Sequence, residues 1–124
     1  MAAGLAQLKE LERRDGWNEL EKLGALFEAG VREVLGKGTS PFTFNRIGSM
    51  FCLFFAEGEV FDLNSAQKSD RNAFASYFHY CLDHGIYFAP SQFETGFISL
   101  AHTAADIART SEVAAEALQV AKIK

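Results

Sequence analysis

The sequence predicts an α+β two-layer sandwich, in which a small, mainly antiparallel sheet is covered by helices. Three observations carry that expectation. Apolar residues recur every three or four positions as far as Leu35, and the period changes to two after Pro41. The run Met50-Phe51-Cys52-Leu53-Phe54-Phe55 is apolar on both faces, as a strand central to a sheet or covered on both sides must be. Helical spacing then returns twice, before Gly85 and after Thr103. At 124 residues, 48% hydrophobic and 23% charged, the composition is that of one soluble globular domain with a single core. Most of the twelve phenylalanines fall between Phe42 and Phe97, which places the core there.

The first helix spans about Ala2 to Arg14, with Leu5, Leu8 and Leu11 along one side, and ends at Asp15-Gly16. No Ser, Thr, Asp or Asn precedes it, so its first amides lack a side-chain cap. That start reads either as a fraying terminus or as a helix entered midway. The second helix runs from about Trp17 to Leu35 on Leu20, Leu23, Phe27, Val31 and Val34, with Gly36 and Gly38 as its stop. Phe42 and Phe44 alternate with Thr43 and Asn45 in a strand, and Ile47-Gly48 leads into the apolar run from Ser49. That connection is too short for a parallel crossover, so the pair is antiparallel. Glu57-Gly58 forms a turn and Asp62 to Lys68 a polar loop with room for a helical turn.

Ser69 is the expected cap of a helix from about Asp70 to His84, with Phe74, Tyr77, Phe78, Cys81 and Leu82 inward and Gly85 as its C′ residue. Ile86-Tyr87-Phe88 and Phe97 to Leu100 read as short strands. Thr103 and Asp106 make a capping box for an Ala-rich final helix to about Ala121. Residues 1–38 are thus a helical lead-in to an α+β core over 39–124, the whole forming one domain.

Several function classes lack their residues. A net charge of −4 argues against nucleic acid, whose phosphates call for a basic face. No window reaches the roughly 18 apolar residues of a membrane span. MAAGLAQL is too short an apolar start for a secretory signal. Cys52 and Cys81 read as reduced core thiols of a cytoplasmic protein. His79 and His84 are five apart, off the shared helix face that metal ligands need, so no metal site is expected. His102 is catalytic only if a partner group reaches it. There is no GxSxG and no phosphate-cradling GxGxxG or Walker sequence, and Gly36-Lys37-Gly38 is a helix stop. Arg46 could bind a carboxylate, although an edge-strand charge is the simpler reading. Glu94, alone ahead of an apolar strand, reads either as a solvated turn acid or as part of a site completed elsewhere.

Two stretches narrow these alternatives. "NRIGSMFCLFF", Asn45 to Phe55, and "GIYFAPSQFETGFISLAHTAADI", Gly85 to Ile107, resemble the C-terminal domain of the glutamate-1-semialdehyde 2,1-aminomutase family. These are pyridoxal-phosphate proteins of fold type I within the class III aminotransferases. The opening MAAGLA and the loop "DLNSAQKSD" also match in character, and the most specific piece is Pro90-Ser91-Gln92-Phe93-Glu94.

The resemblance implies a C-terminal segment of a longer enzyme that isomerises glutamate 1-semialdehyde to 5-aminolevulinate, on the route to haem and chlorophyll. It implies pyridoxal and pyridoxamine phosphate as cofactors of the intact enzyme, which is a homodimer of the cytoplasm or plastid stroma. The cofactor lysine and the large cofactor domain lie upstream, so this chain alone is expected to be inactive and to bind no cofactor. None of Lys9, Lys22, Lys37, Lys68, Lys122 and Lys124 occupies an apolar sequence context that would lower its pKa for this task.

The resemblance further implies that Glu94 corresponds to a substrate-site glutamate of the family, with Ser91 and Gln92 as weaker candidates for positioning its loop. An acid there replaces the arginine with which related aminotransferases hold a substrate α-carboxylate. The alternatives are the small domain of another class III aminotransferase, or a stand-alone binding or interaction module.

Overall fold

The structure, a computed structural model, describes residues 1–35 and 42–121. The expected stop at Gly36 and Gly38, the side chain of Val34, Pro41, and Lys37, Lys122 and Lys124 lie outside the described residues.

Among the described residues five helices and three strands follow in the order α1 (Ala2–Arg13), α2 (Gly16–Leu35), β1 (Thr43–Ile47), β2 (Met50–Phe54), α3 (Leu63–Ala66), α4 (Arg71–Asp83), β3 (Gly96–Phe97) and α5 (Ala104–Val120). The sheet is antiparallel with β2 at its centre, which accounts for that strand's lack of a polar face. Thr43 pairs with Phe54 and Ile47 with Met50 around a hairpin turn whose Gly48, at φ 57°, takes the left-handed conformation.

One face of the sheet turns toward the helices. Phe44, Phe51 and Leu53 meet Phe27 and Val31 of α2 and Ile107 of α5. Beside them Phe55, just past β2, packs with Ala73, Tyr77 and Cys81 of α4 and Val113, Ala114 and Ala117 of α5. The opposite face is covered only in part. Phe54 and Cys52 lie under Val60 and Ala66, and the covering segment is held by Asn45 Nδ2 on the Val60 carbonyl at 2.8 Å and by Thr43 Oγ1 on the Gly58 carbonyl.

Helix α2 comes unusually close to the hairpin. A Cβ at Gly24 would collide with the Gly48 carbonyl oxygen, and one at Gly30 would lie 2.6 Å from Ser111 Cβ of α5. Helix α1, by contrast, buries none of its residues. It is uncapped, as its sequence predicts, and breaks from α2 at Asp15, whose φ of 51° is tolerated by Asp better than by most residues.

Four expectations need correction. Asp70, not Ser69, caps α4, its carboxylate accepting from the Asn72 and Ala73 amides at 2.8 and 3.0 Å. The inward side of α4 is Ala73, Tyr77 and Cys81, with Phe74 half-buried against Phe55, whereas Phe78 is half-buried outside the core cluster and Leu82 is exposed. Residues 86–88 are not a strand: the Ile86 amide donates back to the Cys81 carbonyl at 2.8 Å, and Phe88 stacks on Tyr77 instead of joining a ladder. The strand expected over Phe97 to Leu100 is only Gly96–Phe97, with Ile98 following as a buried plug.

Arg46 is also not a free edge charge. Although β1 is an edge strand, the Arg46 side chain is only 12% exposed and ties the sheet to α2. Its Nε donates to Glu28 at 2.7 Å, Nη2 to Glu21 at 2.9 Å and Nη1 to the Gly48 carbonyl at 2.7 Å. The hydrogen bond from Arg46, aided by Arg32, holds the Glu28 carboxyl below its ordinary value of 4.5. A carboxyl depressed on folding contributes stability above its unfolded pKa and loses that contribution as pH falls through the folded value. The thermal midpoint should therefore drop as pH is lowered below about 5, and less steeply in Arg46→Met. An equal loss of unfolding free energy between pH 6 and pH 3 in the parent and in Arg46→Met, from urea titrations, would show that the pair carries no such linkage.

Candidate functional site

The segment between α4 and β3 is a tight turn tied to the sheet. The Glu94 amide donates to the Ser91 carbonyl at 3.1 Å, and the Phe93 amide to Ser91 Oγ at 3.3 Å. Ser91 thus sets the turn's shape, an ST-type motif in which the hydroxyl substitutes for a backbone acceptor. At the sheet end Cys52 Sγ lies 3.8 Å from the Glu94 carbonyl and 3.6 Å from Thr95 Oγ1. The Arg71 guanidinium stands 5.5 Å from the centre of the Phe93 ring and fastens the other end to the start of α4.

Within this turn Gln92 is buried at 4% exposure, with no hydrogen-bond partner for Oε1 or Nε2 among the described residues. Glu94 is exposed, and its carboxylate makes no ion pair or hydrogen bond among the described residues. The geometry therefore brings Ser91, Gln92 and Glu94 onto one braced turn, with only the acid pointing to a free surface. An exposed carboxylate on a braced turn can attract an amine or exclude another carboxylate.

Two clefts flank the turn. One, of about 400 Å³, is lined by Arg71, Phe74, Phe78, His79 and Pro90 to Phe93. The other, of about 300 Å³, has Phe27, Phe51, Phe88 and Ile107 in its walls and His102 and Asp106 at its rim. His102 and Asp106 do not form a catalytic pair. His102 Nδ1 accepts the Ser99 amide at 3.1 Å, while Asp106 is committed to capping α5, accepting from the Thr103 amide and hydroxyl at 2.7 Å each. Those bonds from Thr103 hold the Asp106 carboxyl below its usual range.

His79 and His84 stay apart from any ligand cluster, and no group of three or more metal-ligating side chains occurs among the described residues. His84 stacks on Tyr80 and its Nδ1 lies 2.8 Å from the Tyr80 carbonyl. Both cysteines are free, and burial pushes the Cys81 thiol up to about 11, an unreactive core group. No helix of the described residues is long and apolar enough to cross a membrane.

Cys52 is the residue whose part the sequence hid. Its apolar neighbours made it a core thiol, yet it stands half-buried on the partly covered face as the brace of the Glu94 turn. Strand alternation puts it on the Met50 face, but its contact lies 42 residues away in sequence.

No family model matches the sequence. Individual relatives do. The chain is 57% identical over 112 residues to a glutamate-1-semialdehyde 2,1-aminomutase of Akkermansia muciniphila, covering 90% of this chain and 26% of the relative. It is 47% identical over 119 residues to one of Thermus thermophilus, covering 95% and 28%. The chain spans about a quarter of the length of these relatives, aligned with their C-terminal part.

Among solved structures it superposes on an omega-transaminase from Sphaerobacter thermophilus with a TM-score of 0.77 at 23% identity, over 96% of this chain and 27% of that one. A glutamate-1-semialdehyde-aminomutase from Pseudomonas aeruginosa gives 0.73 at 22%, over 86% and 23%. The likeness is one of fold: the chain is a small α+β domain shaped like part of those proteins.

The described residues do not fit a pyridoxal-phosphate site. Such a site needs a lysine amine at the aldehyde and a phosphate cradle. Lys9 and Lys68 are exposed, and Lys22 is an exposed partner of Glu19 at 2.7 Å. Lys68 borders a groove walled by Glu57, Glu59, Asp62 and Asp70, whose charges repel a phosphate.

Proposed function

Since this chain is a homologue of the C-terminal part of the glutamate-1-semialdehyde 2,1-aminomutases, we propose that it serves as the C-terminal domain of an enzyme that isomerises glutamate 1-semialdehyde to 5-aminolevulinate. The single observation that carries this reading is identity of 40–57% over 89–98% of the chain to proteins bearing that name. The cofactor, pyridoxal or pyridoxamine phosphate, supplies the amine-carrying and electron-withdrawing chemistry when bound in the intact enzyme. Its lysine belongs to a large domain outside these 124 residues, and the chain alone is catalytically silent. The intact protein is a cytoplasmic or plastid homodimer acting in tetrapyrrole synthesis.

Glu94 is the chain's contribution to the substrate site. Glutamate 1-semialdehyde carries an aldehyde where ordinary amino acids carry their α-carboxylate. A carboxylate at this position offers nothing to an α-carboxylate substrate and charge complementarity to an amine. Ser91 and Gln92 act on it indirectly, by shaping the turn. The omega-transaminase neighbour suggests amino transfer to a different substrate, but it shares only the fold at 23% identity.

Both levels of the proposal are tested in a hybrid in which these residues replace the matching C-terminal part of the Akkermansia muciniphila relative. The hybrid should form 5-aminolevulinate. Glu94→Gln should lower its kcat/KM by about tenfold or more, the value of one charged hydrogen bond, with its thermal midpoint unchanged. An active hybrid indifferent to Glu94→Gln would remove Glu94 from the site. An inactive one with cofactor bound would remove the functional reading.

A further inference from the structure

One side of α4 and the segment from Pro90 to Phe93 enclose the cleft of about 400 Å³ beside the turn. From α4 it takes Arg71, Phe74 and Phe78, whose spacings of three and four set them along one side of the helix. Phe74 and Phe78 stack with ring centres 6.3 Å apart and make an apolar wall. Gln92 and Phe93 come to the cleft from the turn.

Two polar groups of this cleft have nothing to bind. The Gln92 side chain is buried, and neither atom of its amide has a hydrogen-bond partner among the described residues. A buried amide left unmatched is destabilising, and a bound molecule that reaches it removes that penalty. The Arg71 guanidinium lies over the Phe93 ring and makes no ion pair or hydrogen bond among the described residues. A guanidinium stacked on a ring keeps its edge N–H donors free. Neither Asp70 nor Glu94 is in the cleft wall, and the Asp70 carboxylate is turned to the α4 amides.

We propose that this cleft binds a small aromatic monocarboxylate. The Arg71 fork matches a carboxylate through two parallel N–H···O bonds, and an unopposed guanidinium selects an anion. The Phe74, Phe78 and Phe93 rings take the ligand's ring. The Gln92 amide meets a carboxylate oxygen or a ring hydroxyl. A phosphate is the poorer fit, because it calls for several converging donors. The cleft supplies one arginine, with the exposed His79 as its other ionisable side chain. An aliphatic acid as small as acetate would leave the phenylalanine wall wet. The volume lies at the low end for ligand sites and suits one ring with its carboxylate. The proposal is independent of the functional reading given above.

Benzoate is the probe, titrated into the isotope-labelled 124-residue chain and followed by NMR, with benzyl alcohol and acetate run alongside. Benzoate should saturate with a Kd on the order of 1 mM or below, the strength of a ligand this small. It should move the Gln92 side-chain resonances and the backbone of 71–79 and 90–93. Benzyl alcohol and acetate should each bind about tenfold more weakly. Arg71→Met should abolish the preference for benzoate over benzyl alcohol, which a merely loosened turn would leave in place. Gln92→Leu removes an unmatched amide and no hydrogen bond, so it should melt no lower than the parent while binding benzoate about fivefold more weakly. That variant decides the matter should Arg71→Met fail to fold. Shifts that never saturate at these residues, or acetate binding as tightly as benzoate, overturn the site. So does a preference for benzoate that survives Arg71→Met, or an affinity unchanged in Gln92→Leu.

Discussion

Replacing Phe55 with alanine is expected to lower the unfolding free energy by about 4 kcal/mol, the usual cost of emptying a buried aromatic site. Phe55 is 1% exposed and touches three other rings, edge-on to Phe42 at 4.9 Å and Phe74 at 6.0 Å and tilted against Tyr77 at 5.5 Å. Its carbonyl also accepts the amide of Asp70, the α4 cap, at 2.7 Å. The side chain thus joins sheet, α4 and α5 at a single point. Domains of this size hold only about 5–15 kcal/mol in total, so the variant should give up a large fraction of its stability. Urea titration gives the number directly. A loss below about 1 kcal/mol would mean that the neighbouring rings close over the space.

Gly24→Ala should cost about 2 kcal/mol, although alanine is the better helix former. Mid-helix alanine gains roughly 1 kcal/mol over glycine. Here the added methyl meets the Gly48 carbonyl oxygen, a backbone atom that cannot swing aside, and presses on Arg46 Nη1 at 3.0 Å. Moving α2 off the hairpin would also loosen the Arg46 bonds to Glu28 and Glu21. Overpacking of this sort costs about 1–3 kcal/mol, beyond the propensity gain. Gly4→Ala in α1 is the control: nothing lies within 4 Å of its Cβ, so the propensity term alone should act and helicity should rise. If both substitutions stabilise, the close approach of α2 to the hairpin is not needed for packing.

What could be read from sequence divides along a physical boundary. The helices were legible because their apolar spacing and their caps are local, down to the reciprocal box of Thr103 and Asp106. The central position of β2 was legible because a strand with partners on both sides has no polar face. Residues 86–88 misled because aromatic and β-branched side chains favour strands, whereas here Phe88 is held by Tyr77 and Phe51 ring contacts without a ladder. Ser69 and Asp70 both suit a cap, and only the placement of the first helical turn decides between them.

At the candidate site the Ser91 turn was legible, as was Glu94 as an isolated acid. The Cys52 brace, the burial of Gln92 and the inward engagement of Arg46 were not. Each depends on residues brought together across 18 to 43 positions or on packing with no local signature.

Helix α1 has a consequence for how the chain unfolds. With none of its twelve residues buried and no side-chain cap, it draws almost nothing from tertiary packing, and a lone helix of that length is marginal in water. Its amides should exchange with deuterium through local fraying, at rates insensitive to denaturant. Those of α2, α4 and α5 should exchange only through global opening. The cooperative unit then begins at Gly16, and a calorimetric enthalpy divided by the full chain length would understate the folded core.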